Sequence, residues 1–309
     1  MKKKKNKEPF ISYKWQTALV CYAFVIIPMA LLCLFTYGPV IWAFVTSLFE
    51  MEIGGESKFV GLSHYIEYLA SDPTTWPSML VMIFMTVFAV CVRLTMPLIV
   101  AKLIYSVQSE RWRHYYRIIF LAPIVVPGVA VMLIWSGLIY SNQGLINEVL
   151  LKLGLNDYTR AWLADPATAL FAVVFIGFPW IGGFEVLIYY AGLSNIPESV
   201  NEAALIEGCV GLKKFFLIDI PMVLSQLKLI LVLTVIAGVQ GFEFLIILTR
   251  GGPGFRTTVP GLMMYFNAFS FQRFGYACAI GVIIFVIIFS LTLINFKYFK
   301  SAEEIQAVK

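Results

Sequence analysis

The chain has 309 residues, 60% of them hydrophobic, 16% aromatic and 13% charged, with a mean hydropathy of +0.84 and a formal net charge of +5. Soluble domains carry about 25% charged residues, so this balance excludes an ordinary water-soluble domain and points to membrane spans joined by loops. A helical span needs roughly 20 mainly apolar residues, and six runs reach that length, at about 18–48, 79–104, 117–140, 169–192, 223–248 and 277–298.

The chain begins MKKKKNKEPFISYKW. This is basic, but the apolar run behind it is too long for a signal-peptide core and lacks a small-residue cleavage site. It is expected to be a retained first span behind a basic segment, 1–17. That span is long enough to be kinked or tilted, with Pro28 and Pro39 as places for a kink. The following loop holds His64, and the loop before span three holds His114; neither has metal-ligand spacing, and both are expected to be solvated. Span two contains Arg93, a costly residue at membrane depth that is expected to snorkel or to find an ion pair. Span four contains Glu185 beside Gly182 and Gly183. Span five carries Gln240 and Glu243 three residues apart, hence on one helical face. GGP at 251–253 has no preceding strand and no following GK[ST], so it reads as a turn.

Lys and Arg orient the spans, because cytoplasmic loops collect positive charge. With the N-terminus inside, segments 1–17, 102–117, 193–222 and 297–309 hold 15 of the 23 basic residues, against six in 49–78, 141–168 and 249–276. Both termini are therefore expected in the cytoplasm. The positive net charge then reflects topology and gives no reason to invoke nucleic acid. The five cysteines form no CxxC pair and read as small apolar residues in packed helices.

The segment NEAALIEGCVGLKKFFLIDIP, 201–221, lies between spans four and five and is neither a tight turn nor a span. Ser194 or Asn195 can cap a first short helix, Pro197 suits its first turn, and Glu198 faces the positive end of its dipole. Val200, Ala203, Ala204 and Glu207 share one face, so another backbone can approach closely there. Gly208 is placed to end the helix in a left-handed conformation. Leu212 to Ile218 can form a second helix with Pro221 at its exit. Such an elbow is either a docking surface or an amphipathic connector resting on lipid.

Glu202-Ala203-Ala204, then Gly208, then Ile218, Asp219, Ile220 and Pro221 resemble the EAA loop of binding-protein-dependent ABC importer permeases. The departures are Ile220 where Leu is usual and Glu207 where Asp is common. GLINEVLLKLGL, WLADPATAL, GGFEVLIYYAGLSNIPESVNEAA and LTRGGPGFRTTVPGLMMYFNAF look like the maltose-type carbohydrate permeases, and the resemblance covers about residues 18–299. The chain is similar to the compact six-span members that import sugars, oligosaccharides or glycerol phosphate. The resemblance implies an all-α integral membrane fold of six transmembrane helices, the type I ABC importer permease fold. It places a coupling loop at about 193–222 and a cytoplasmic tail at 300–309. It also implies a second homologous permease, two ABC ATPase subunits, an extracytoplasmic solute-binding protein, a carbohydrate substrate and a bacterial or archaeal cytoplasmic membrane. The coupling residues would be Glu202, Ala203, Ala204, Gly208, Ile218 and Pro221.

No GxxxxGK[ST] phosphate loop is present, so ATP and Mg are expected on the ATPase partner, with no cofactor, metal site or catalytic residue in this chain. A sugar path wants hydroxyl-binding side chains beside flat aromatic faces; Gln240, Phe242, Glu243, Tyr265 and Asn267 are the candidates, with polar packing against the second permease as the alternative. A secondary transporter or channel is the competing class, and it would usually show inverted repeats or coupling charges. An intramembrane enzyme would need His or Asp inside a span, and no expected span holds either.

Overall fold

The computed structural model describes residues 10–51 and 57–298; the basic residues 1–9 and the tail expected at 300–309 lie outside the described residues. The described residues are mostly helical. α1 (Phe10–Leu32) and α2 (Gly38–Thr46) form one long rod joined by a wide turn, Cys33–Tyr37. Pro39 has no N–H for the Phe35 carbonyl, so the ladder opens there and Gly38 N–H bonds back to Cys33 O instead. A two-residue antiparallel pair, β1 (Phe49–Glu50) with β2 (Lys58–Phe59), and the short α3 (Ser63–Ile66) lead into α4 (Thr75–Tyr105). α5 (Glu110–Leu121) and α6 (Gly128–Ile134) follow, then α7 (Leu145–Lys152), α8 (Ala169–Phe175), α9 (Gly183–Ser194) and α10 (Glu198–Ile206). The chain continues through α11 (Gly211–Lys214), α12 (Ile220–Met222), α13 (Leu224–Gln240), α14 (Glu243–Leu248), α15 (Pro260–Phe269) and α16 (Phe274–Tyr298).

Of the six expected spans, three are long unbroken apolar stretches among the described residues: Val20–Thr46, Thr75–Tyr105 and Phe274–Asn295. The other three are interrupted. Glu110–Val125 meets Gly128–Ile139 at 85°, at Val126 and Pro127. The fourth run is cut by residues 176–182 and the fifth at Gly241 and Phe242. Apolar length alone does not register such breaks. Pro179 withholds an N–H, Gly177 sits at φ 81° and Trp180 at φ 57°, so the backbone reverses course inside an apolar run.

α4 is the axis of the packing, touching α9 along one flank and α13 along another, while α16 packs on α15 and α2. Two apolar clusters sit along it. Near its start Met82 joins Tyr68, Leu245, Leu262 and Ile280; near its end Leu98, Ala101 and Ile104 join Val186, Tyr189 and Leu193. Lipid is as apolar as these side chains, so helix association in a bilayer relies on close packing, often over small residues. The glycines supply it. A Cβ at Gly238 would lie 2.7 Å from Thr86 Oγ1, and one at Gly183 would lie 2.7 Å from Phe120 O.

Polar anchors tie the start of α16 to the segment before α4. Asp72 accepts hydrogen bonds from Thr74 N–H (2.8 Å), Thr74 Oγ1 (2.6 Å) and Tyr276 Oη (2.8 Å). Burial works to raise the Asp72 pKa, but the hydrogen bonds from Thr74 and Tyr276 and the nearby Arg273 charge outweigh it and hold the carboxyl below its ordinary range. The stability this contributes is therefore present above the ordinary carboxylate pKa and lost only as pH falls through the lowered value. Arg273 bonds Glu67 at 2.7 and 2.8 Å and lies over the Tyr276 ring at 4.3 Å.

His64, expected in solvent, is buried here, with Nε2 3.3 Å from the Phe49 carbonyl. The reason is Gly275: a Cβ there would overlap Phe49 O and sit 2.8 Å from His64 Nε2, so the helix start presses directly on that loop. Gly275→Ala is expected to cost about 1–3 kcal/mol by overpacking, read as a lower thermal midpoint in detergent. An unchanged midpoint would mean that the loop simply moves aside.

Candidate functional site

Two features stand out along α4, one at its last turn and one beside its middle. The first is the loop between α9 and α13. Its first helix, α10, is capped by Pro197, with no side-chain cap bond. Neither Ser194 nor Asn195 serves that role, because α9 runs on to Ser194 and Asn195 caps its C-terminus. Gly208, at φ 67°, ends α10 in the left-handed conformation: Gly208 N–H bonds Leu205 O (3.1 Å) and Cys209 N–H bonds Ala204 O (2.7 Å). This pair of bonds is the Schellman arrangement, which satisfies carbonyls that a helix end would otherwise orphan. Lys214 Nζ then ties the second helix back to Asn201 Oδ1 at 2.6 Å.

Glu202, Ala203, Gly208 and Pro221 are exposed, Ile218 is half-buried, and Ala204 is buried. The small-sided face expected for Ala203 and Ala204 is thus divided. Ala204 lets α10 settle on its own chain, while Ala203 and Glu202 look outward. Leu205, Ile206, Val210, Leu212, Phe216 and Leu217 are also exposed, so the elbow offers a greasy outer surface.

After α11 the helix widens at Phe215–Asp219, where Ile220 N–H bonds Phe215 O, the same device used before Pro39. Pro221 therefore lies within the last turn and not beyond it. The chain then bends by 69° into α13.

The second feature is a cavity of about 460 Å³ among the spans. Phe88, Val92 and Arg93 of α4, Met132 of α6 and Val173 of α8 line it, with Thr234, Ala237 and Gly238 of α13. The two breaks complete its wall, through Ile176, Gly177, Trp180 and Gly182 of one and Gly241 of the other. Irregular backbone is tolerated at membrane depth only where protein covers it or a polar cavity receives it. Trp180 is held there by its indole N–H, which bonds Val174 O at 3.1 Å, and by ring contacts to Phe88 (5.4 Å) and Phe175 (5.1 Å). Arg93 Nη1 meets Glu185 Oε1 at 2.5 Å, the ion pair expected for Arg93; Glu185 is buried while Arg93 stays half-exposed toward the cavity. Neither Trp180 nor the cavity is visible in the apolar pattern of the sequence. The available signal was Gly177 and Pro179 inside an apolar run, since Gly- and Pro-interrupted spans point to transport sites.

The expected substrate-path residues divide. Gln240, Phe242 and Glu243 line a separate cleft of about 510 Å³ against Gly281, Phe285 and Phe289 of α16. They do so although the helix breaks between Gln240 and Glu243, which therefore do not share one continuous helical face. Tyr265 packs its ring on Phe242 (5.8 Å) and Phe269 (5.1 Å). Asn267 is buried and spends its amide on Met263 O at 2.9 Å, within its own helix.

Beyond these, Asn147 is a fully used hub. Its amide donates to Ser141, Asn142 and Arg160 carbonyls, and its oxygen accepts from Arg160 N–H and Trp162 Nε1. It shapes the 141–168 loop.

Comparisons with known proteins agree with this geometry. The family described as "Binding-protein-dependent transport system inner membrane component" matches residues 74–299. A probable ABC transporter permease, YurN of Bacillus subtilis, is 29% identical over 290 residues, covering 94% of this chain and 99% of that protein. The trehalose/maltose transport system permease protein MalF of Thermococcus litoralis is 29% identical over 287 residues, covering 92% and 95%. Among solved structures, a bacterial ABC transporter involved in import of the acidic polysaccharide alginate superimposes with a TM-score of 0.79 at 20% identity, over 94% of this chain and 99% of that one.

Proposed function

Since the chain belongs to the binding-protein-dependent transport system inner membrane component family, we propose that it is the subunit through which a sugar or oligosaccharide crosses the cytoplasmic membrane in an ATP-driven importer. The chain carries no phosphate loop, so ATP and Mg belong to ATPase partners. Those partners dock on the loop through Glu202, Ala203, Ala204, Gly208, Ile218 and Pro221, with both chain termini on the same, cytoplasmic, side. A second homologous permease completes the membrane unit, and a solute-binding protein delivers the carbohydrate from outside.

The observation that carries this reading is one of arrangement. A cavity walled by two interrupted spans lies beside the middle of α4, at Phe88, Val92 and Arg93, and the exposed helix–Gly–helix elbow is tied to the last turn of α4 through Lys102 and Asp219. Movement at the elbow can therefore reach the cavity through helices that contact both. The cavity's aromatic faces at Phe88 and Trp180 suit a sugar ring, and Arg93, Thr234 and the freed backbone of residues 176–182 suit its hydroxyls.

The test is reconstitution with the second permease, the ATPase subunits and the binding protein in sealed vesicles. Uptake is expected to need ATP and to be lost when the ATPase subunits are left out. Uptake driven by a proton or sodium gradient without them would establish the secondary-transporter reading instead. Reporters fused at residues 1, 108 and 309 are expected to read cytoplasmic, and those at 60 and 155 external, from the basic-residue asymmetry. A cytoplasmic signal at 155 would remove the proposed sidedness of the loop.

A further inference from the structure

Two ion pairs on α4 are joined by the docking loop. Arg93 reaches Glu185 in the first turn of α9, the arm that leads into the loop. Lys102 reaches Asp219 at the end of the widened turn, on the arm that leads out, with Nζ 2.5 Å from Oδ2. Asp219 is fully buried and Lys102 is mostly buried. Neither carboxylate oxygen of Asp219 has a hydrogen bond of good geometry, so the Lys102 charge is what compensates it. Burying such a pair adds little net stability, because desolvation consumes most of the Coulomb gain; its best-attested use is to fix a register.

The register here is that of the loop against α4. Arg93 and Lys102 are nine residues apart on α4, about 14 Å along the axis at 1.5 Å per residue. Pro97 lies between them, and its missing N–H leaves the Arg93 carbonyl without its helical partner. α4 is therefore easiest to bend between the two pairs. A single tie at Lys102 would let that bend absorb a push from the loop. A second tie beyond it makes the cavity side follow. Aromatic contacts reinforce the lower tie: Lys102 Nζ lies 5.3 Å from the Tyr105 ring, Tyr105 lies 6.5 Å from Tyr190 of α9, and Arg117 lies 4.9 Å from that same Tyr190 ring.

We propose that Lys102–Asp219 and Arg93–Glu185 are positioning pairs that clamp both arms of the docking loop to α4 on either side of Pro97, so that displacement of the loop is delivered to the cavity wall. The inference rests on the proposed function, in which that loop receives the ATPase.

The experiment uses the reconstituted complex and compares Lys102→Gln, Glu185→Gln and the double variant Lys102→Met with Asp219→Leu. The double variant removes both charges and leaves none buried alone, so it folds even where a single variant does not. ATPase recovered on pull-down, ATP hydrolysed and sugar taken up are measured together. All variants that fold are expected to keep the ATPase attached while uptake per ATP falls about fivefold or more, the size of effect that mutations along a coupling route produce. Unchanged uptake per ATP in the double variant overturns the proposal. Loss of ATPase attachment in step with uptake also overturns it, since the pairs would then shape the docking surface and not transmit its movement. Failure of the proposed function itself looks different: the unmodified complex would recover no ATPase and show no ATP-dependent uptake.

Discussion

Gly208→Asp is expected to leave the chain inserted and paired with its partner permease, yet to remove the ATPase subunits and reduce uptake about a hundredfold, the scale of a lost interface hot spot. Strain and collision contribute separately at this position. At φ 67° a residue with a Cβ costs of order 1–2 kcal/mol, too little to unfold a bundle with two packed clusters along α4. Within this chain a Cβ at position 208 meets nothing within 4 Å. The harm must therefore come from outside, where a charged side chain stands on the surface offered to a partner. Gly208→Asn serves as the control for strain, because Asn tolerates the left-handed region and brings no charge; it is expected to retain more ATPase than the Asp variant. Co-purification of the ATPase with each variant, alongside sugar uptake, is the measurement. Full recovery and normal uptake with Gly208→Asp would reduce the loop to a connector.

Ala237→Phe is expected to insert and hold its ATPase normally while uptake drops at least about tenfold, a loss of roughly 1.4 kcal/mol or more from the translocation step. Ala237 lines the 460 Å³ cavity and is exposed to it, so the added ring enters the empty space and not the packed core. The rival path is the cleft holding Gln240 and Glu243. There Gln240→Ala or Glu243→Ala would leave a sugar group unpaired and cost about 1–3 kcal/mol. Uptake assays on the three variants discriminate directly. Normal uptake in Ala237→Phe with loss in Gln240→Ala and Glu243→Ala would move the path to the cleft. The reverse pattern would leave the cleft as packing surface for the second permease.

What was legible from the residues alone was whatever local chemistry controls. Apolar length announces a membrane protein, and the punctuation of 194–221 announces two short helices around a glycine. Gly208 takes the left-handed conformation its position implies, because only the backbone within a few residues sets that choice. The need of Arg93 for an ionic partner could likewise be read from its depth, since an isolated charge in an apolar run is too costly to leave alone. Its partner could not be read. Glu185 is 92 residues away and Asp219 lies 117 residues beyond Lys102, so both pairs exist only because α9 and the second arm of the loop lie against α4.

The same holds for the cavity. Hydropathy sums side chains and is blind to backbone direction, so residues 176–182 and Gly241 counted as ordinary span length when they are where two helices stop. The division of the EAA alanines and the burial of Asn267 follow from how far each short helix is rotated against its neighbours. Rotation and contact are decided by close packing between segments distant in the chain, and that packing exists only in the folded bundle.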